Sequence, residues 1–198
     1  MIATTKGELT RQAILDHATG LAAQIGLEGL SIGRLAEDLK LSKSGLFAHF
    51  KSKEALQLQV LETARQQFVD RVVKPGLTAP RGEPRLRALF ERWLAWGRGK
   101  PGGCLFVNTA IEFDDRPGPV RDWLVENQRD WLDMLANTVR SGAQEGRLDA
   151  SLDPDQLAHE LYGIMLGWTH AARLLRDPKV EDRTRIAFEA LLDRYRRK

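Results

Sequence analysis

The chain has 198 residues, with 30 Lys and Arg against 27 Asp and Glu, a net charge of +3 that does not by itself imply nucleic acid. With 42% hydrophobic and 29% charged residues it has an ordinary globular balance, long enough for one or two domains with a substantial core. A single cysteine excludes an intrachain disulfide and points to a reducing compartment, and no apolar run approaches the roughly 20 residues of a membrane span.

The elements read as helix after helix. Thr5 and Glu8 have the spacing of a capping box, and Ile14, Leu15, Ala18, Leu21, Ala22 and Ile25 then mark one buried face up to Gly26. Ser31 caps a second helix whose apolar positions are Ile32, Leu35, Ala36 and Leu39. Lys40 and Leu41 make a tight turn, with Lys40 a candidate for the left-handed conformation. Ser42 caps a third helix over Lys43 to His49, and Ser52 caps a fourth that carries Glu54 in its first turn. From Lys40 to Lys53 there are four lysines and no carboxylate. A short exposed helix on a crossing partner, fringed with cations, is what the major groove of DNA admits.

The stripe Leu56, Val60, Leu61, Ala64, Phe68 and Val72 predicts a long helix ending at Lys74-Pro75-Gly76. After a loop to Pro84, another follows with Leu86, Leu89, Phe90, Trp93 and Leu94, ending near Gly97 to Gly103. Cys104 to Phe113 is a helix or an extended apolar run, and the helical context favours a helix. Asp114 to Gly118 breaks it, in a Pro/Gly turn that accounts for the Asp114-Asp115 pair. Pro119 opens a long helix through Val120, Trp123, Leu124, Trp131, Met134, Leu135 and Val139. Asp153-Pro154 starts the next, which ends at Asp177-Pro178, and Ile186, Leu191, Leu192 and Tyr195 mark the last before a basic tail. The expected architecture is all-α with about nine helices, divided into a DNA-binding segment 1–52 and a larger segment 53–198.

Residues Leu35-Ala36, Leu41 to Phe50 and Ser52-Lys53-Glu54, with Ile14 to Ala18 and Gly26 upstream, resemble the DNA-binding signature of the tetracycline repressor (TetR) family. The specific match covers roughly the first quarter of the chain. The resemblance implies an N-terminal three-helix bundle containing a helix-turn-helix, and a C-terminal helical domain that binds an effector and dimerises. It implies a homodimeric repressor on palindromic double-stranded operator DNA, released by a small, largely apolar effector; the single cysteine and the lack of a membrane-length apolar run make a cytoplasmic protein without a membrane the expectation. Two residues depart from the family pattern: Phe47 stands where tyrosine is usual, losing a phosphate-reaching hydroxyl, and Lys40 where glycine is common.

In this kind of docking the residues that open the recognition helix reach base edges. Lys43 can donate to guanine O6 or N7, and Ser44 can bond several bases. Phe47 can touch sugar or a thymine methyl. Gly45 leaves room either for packing against the preceding helix or for close approach to DNA. His49, Lys51 and Lys53, with Arg34, are the phosphate candidates. Lys6 and Arg11 are phosphate contacts or merely solvated charges, and Leu46 and Phe50 belong to the core.

All five tryptophans lie beyond this segment. Trp93, Trp96, Phe106, Trp123, Trp131, Met134 and Trp168 form the candidate effector-binding set, with plain core as the alternative for each. Asn108 and Glu112, four apart on one helix face, would meet a ligand polar group, a neighbouring backbone or an arginine. Gly163 and Gly167 permit close helix approach, at a two-fold dimer interface or within the chain. Cys104, after Gly102-Gly103 and near Arg98 and Lys100, is either a redox-sensitive thiol at a helix start or an inert core cysteine beside Leu105 and Phe106.

Catalysis, metals and cofactors are not expected. His159 and His170 are eleven residues apart, roughly 16 Å along a helix, and cannot share a metal. One cysteine excludes most zinc patterns, and nucleophile-elbow, Walker and dinucleotide motifs are absent. The alternatives to a repressor are an activator of the same fold, or a helical ligand-binding or interaction protein without operator recognition.

Overall fold

A computed structural model describes residues 6–98, 101–151 and 153–196, with side chains from residue 11 onward. The Thr5–Glu8 capping box, the Lys6 side chain, Lys100 and the last two residues of the basic tail lie outside the described residues. The chain forms α1 (Lys6–Ile25), α2 (Ile32–Leu39), α3 (Lys43–Phe50), α4 (Lys53–Phe68), a π turn (Val69–Val73), the four-residue α5 (Lys74–Leu77), α6 (Glu83–Arg98), α7 (Leu105–Phe113), α8 (Pro119–Gln144), α9 (Pro154–Arg173) and α10 (Val180–Tyr195). Nine of these helices have eight residues or more, and among the described residues the extended backbone amounts to one isolated bridge, Leu148 to Arg196.

Pro75 does not end the long helix as the sequence suggests. Proline has no N–H for the carbonyl four residues back, and its ring crowds that carbonyl. The preceding turn widens to π over Val69–Val73, and the chain stays helical to Leu77.

Two compact units result. Unit 1 comprises Met1–Phe68 with Lys100–Val125, and unit 2 comprises Val69–Gly99 with Glu126–Lys198. In unit 1, Ile14, Leu15, Ala18 and Ala22 of α1 share a buried core with Leu35, Leu46, Phe50, Leu56, Val60 and Leu61. Helices α2 and α3 have eight residues each, too short to persist alone in water. They are held by tertiary burial: Leu35, Leu46 and Phe50 are inaccessible, each contributing about 1.5–3 kcal/mol on burial. Helix α7 also packs on α1 and α4.

In unit 2, α9 and α10 pack along each other. Phe90 of α6 stacks on Phe188 of α10 at 4.0 Å between centroids, under the Arg87 guanidinium. Gly97 on α6 is a close-approach glycine, since a Cβ there would lie 2.4 Å from Cζ3 of Trp168 on α9. The helix ends are tied by ion pairs: Glu83 accepts from Arg87 at 2.8 Å and Arg196 at 2.7 Å, Arg87 also reaches Glu189, and Arg140 of α8 forks onto both oxygens of Asp155 at 2.7 Å. The two arginines hold the Glu83 carboxyl down to about 2, with Arg196 the larger cause.

Candidate nucleic-acid interface and ligand-binding region

Three serines start the helices around the turn. Ser31 Oγ accepts from the Arg34 N–H at 3.1 Å, Ser42 Oγ from Gly45 at 3.1 Å and Ser52 Oγ from Ala55 at 3.0 Å. Lys40 closes α2 in the left-handed conformation (φ 54°, ψ 39°), where its N–H reaches the Ala36 and Glu37 carbonyls and turns the chain into α3. Lys51 closes α3 with φ 60°. Both conformations carry a steric cost in a residue with a Cβ, which the buried helices on either side sustain.

The result separates two faces of α3. Leu46 and Phe50 point into the core, while Lys43, Ser44, Gly45, Phe47, Ala48 and His49 are exposed. Phe47 sits four residues after Lys43 and three after Ser44, so the three share one face, and 57% of Phe47 is open to solvent. The nearest atom to a Cβ added at Gly45 is Ser42 Oγ at 3.0 Å, so Gly45 gives room to the cap and to whatever meets the exposed face, with no close neighbour on α2. Arg34, Lys51 and Lys53 are exposed at the edges of the motif. Lys53 Nζ donates to Glu28 Oε1 at 2.8 Å, and Lys43 lies 4.0 Å from Glu37. Arg11 is engaged with Gln59.

The aromatic residues divide between the units. In unit 1, Phe106 stacks on Trp123 at 6.2 Å and meets Phe68 edge-on at 6.0 Å. In unit 2, Trp93 and Trp168 meet edge to face at 5.5 Å, and Trp96 and Trp131 are buried. The Trp168 indole N–H has no acceptor although it is buried. Trp168 also lines a cleft of about 500 Å³ with Gly97, Arg173 and Val180. Met134, half-buried, lines a second of about 610 Å³ with Leu77, Arg85 and Asn137. The polar pair on α7 has partners inside unit 1: Asn108 Nδ2 donates to the Gly102 carbonyl at 2.8 Å, and Glu112 Oε2 accepts the Glu28 N–H at 2.9 Å. Cys104 is buried at the N-cap position of α7, and Arg98 pairs with Glu181 at 3.2 Å within unit 2.

Residues 14–60 match the family model of bacterial regulatory proteins of the tetR family, and residues 82–188 match the tetracyclin repressor-like C-terminal domain. The chain belongs to the tetR family. It is 26% identical over 172 residues to the HTH-type transcriptional repressor NemR of Escherichia coli K12, covering 84% of this chain and 85% of that protein. The crystal structure of a TetR transcriptional regulator from Chloroflexus aurantiacus superposes with a TM-score of 0.83 at 26% identity, covering 94% and 93% of the two chains. AibR, solved in complex with isovaleryl coenzyme A and operator DNA, shares the fold with a TM-score of 0.66 at 24% identity, over 80% of this chain and 84% of that one.

As a TetR-family member the chain is a DNA-binding transcriptional regulator and not an enzyme. Among the described residues no helix is long and apolar enough to cross a membrane, and no group of three or more His, Cys, Asp or Glu side chains converges to hold a metal. The TetR-type motif carries residues that sequence reading passes over. Glu28, in the α1–α2 connection, joins Lys53, Arg116 and the Glu112 side chain. These partners lie 25, 88 and 84 residues away, and no local pattern signals such pairings.

Proposed function

We propose that this protein is a homodimeric repressor that occupies a palindromic operator in the cytoplasm and leaves it when a small, largely apolar effector binds. Residues 1–52 supply DNA recognition and 53–198 effector binding and dimerisation. The observation that carries this reading is the exposed face of α3, where Lys43, Ser44 and Phe47 stand together on a capped helix backed by Leu46 and Phe50. Such a helix enters the major groove with Lys43 and Ser44 at base edges, while His49, Lys51, Lys53 and Arg34 take phosphates and fix its register.

The open face of α9 and α10 supports the dimer. Cβ atoms built at Gly163 and Gly167 meet nothing within 4 Å, while Leu166 is 37% and Ile186 69% exposed. Small residues beside apolar ones on two adjacent helices suit a second copy of the same pair, giving an isologous interface whose symmetry the operator mirrors. For the effector, the buried, acceptorless N–H of Trp168 and the cleft that its ring lines support a site in unit 2. Trp93, edge to face with the Trp168 ring at 5.5 Å, adds apolar surface behind it, and the cleft that Met134 lines is a second candidate within unit 2.

Selection of duplexes from a random pool tests the reading. The expected winners share two inverted half-sites about one helical turn apart. A protein that retains every duplex equally overturns it.

A further inference from the structure

The Glu28 carboxylate is shared between two cations. Its Oε1 accepts from Lys53 Nζ at 2.8 Å, and its Oε2 lies 3.4 Å from Arg116 Nη1, in the turn between α7 and α8. The backbone is fixed as well, because the Glu28 N–H donates to Glu112 on α7 at 2.9 Å. Lys53 opens α4 directly after the recognition helix, where it is a phosphate candidate. A carboxylate and a phosphodiester present the same kind of anionic oxygen to an ammonium group. Both side chains of the Lys53–Glu28 pair are nearly half exposed, at 42% and 46%, so the pair is weak enough to be exchanged.

We propose that Glu28 is an internal stand-in for operator phosphate: it holds Lys53 in the free protein, releases it to DNA on binding, and leaves its own charge with Arg116. This rests on the operator-binding reading above. Glu28 is therefore a positioning residue that competes with DNA, and Arg116 lowers the cost of the exchange. The arrangement also has a signature in salt. Added salt weakens the exposed Lys53–Glu28 pair as well as the Lys53–phosphate contact, so the competition with Glu28 flattens the salt dependence of DNA binding.

The test is a set of variants measured on one selected operator across a range of salt: Glu28→Gln, Lys53→Ala, the double variant, and Arg116→Ala in both the wild-type and Glu28→Gln backgrounds, each checked for a native melting transition. Glu28→Gln is expected to tighten binding about twofold to fivefold and to steepen the salt dependence by up to about one unit of slope. In the Lys53→Ala background it should do neither. Arg116→Ala should weaken binding only while Glu28 is present. A gain from Glu28→Gln that persists without Lys53 would be a general charge effect and overturns the proposal, as does a loss of affinity. If the wild type forms no sequence-specific complex at all, the operator-binding reading falls and this inference with it. A specific complex indifferent to Glu28 overturns this inference alone.

Discussion

The side chain of Glu112 closes over Gly26: one carboxylate oxygen accepts the Glu28 N–H at 2.9 Å, and the other would lie 2.7 Å from a Cβ placed on residue 26. Gly26 ends α1 with φ +84°, a conformation that costs little without a side chain. The end of α1, the connection to α2 and the helix α7 thus meet at one carboxylate.

Two substitutions test that junction. Glu112→Ala leaves the Glu28 N–H without its charged acceptor and is expected to cost about 1–3 kcal/mol in urea unfolding. Gly26→Ala adds left-handed strain of about 1–2 kcal/mol to the clash. The Cβ clash disappears once Glu112 is alanine, so the double variant should be less destabilised than the sum of the singles. Strict additivity would mean that the two residues do not meet in solution.

Phe47 is a large apolar ring exposed among cations, on the same face as Lys43 and Ser44. In the major groove the apolar partner for such a ring is the thymine methyl group. Replacing thymine by deoxyuridine, one position at a time in a selected operator, should weaken binding at one step of each half-site by about fourfold, the value of one buried methyl-sized group. Phe47→Ala should abolish that sensitivity. Lys43→Ala should instead relax the preference at a guanine, by about 1–3 kcal/mol. Equal tolerance of deoxyuridine at every position would remove Phe47 from base contact.

The helix-turn-helix was legible because its determinants are local: Ser31, Ser42 and Ser52 act three residues along the chain, and Lys40 bends its own backbone. Periodicity likewise placed Leu46 and Phe50 inside. The π turn before Pro75 was not legible, because periodicity shows where a helix is apolar and not how it accommodates a missing N–H. Asn108 and Glu112 show the limit at the site itself. Their shared face on α7 could be read from spacing, but that Gly102 and Glu28 meet them depends on which segment the fold brings to that face. The aromatic set is divided for the same reason: Phe106 and Trp123 stack in unit 1, while Trp93 and Trp168 pair in unit 2.

Acid should act on unit 2 through Glu83. Its carboxyl titrates at about 2 when folded, against an ordinary 4.5, chiefly because Arg196 and then Arg87 hydrogen-bond the ion. A lowered folded value means stability that is present above 4.5 and is lost as pH falls through about 2. Glu83→Gln should therefore lower the melting temperature at pH 7, and the gap from wild type should shrink between pH 4.5 and 2. A gap that stays constant across that window would show that the ions contribute nothing through titration.

Cys104 combines a reactive group with a protected position. Cys104 is 5% exposed at the N-cap of α7, between Gly103 and Leu105, both also buried. A cysteine reacts as its thiolate and only where reagent can reach it, so burial opposes whatever activation the helix start offers. Labelling by a thiol reagent should accordingly be slow in the native protein and fast in urea. Operator affinity of wild type and Cys104→Ala should be the same before and after mild peroxide. Loss of operator binding by the wild type alone would instead make Cys104 a sensor. The thiol would then be reached through local opening at the start of α7, the helix whose Glu112 holds the α1–α2 connection. In that case the peroxide effect should grow under conditions that loosen unit 1, and Glu112→Ala should speed both labelling and the loss of binding.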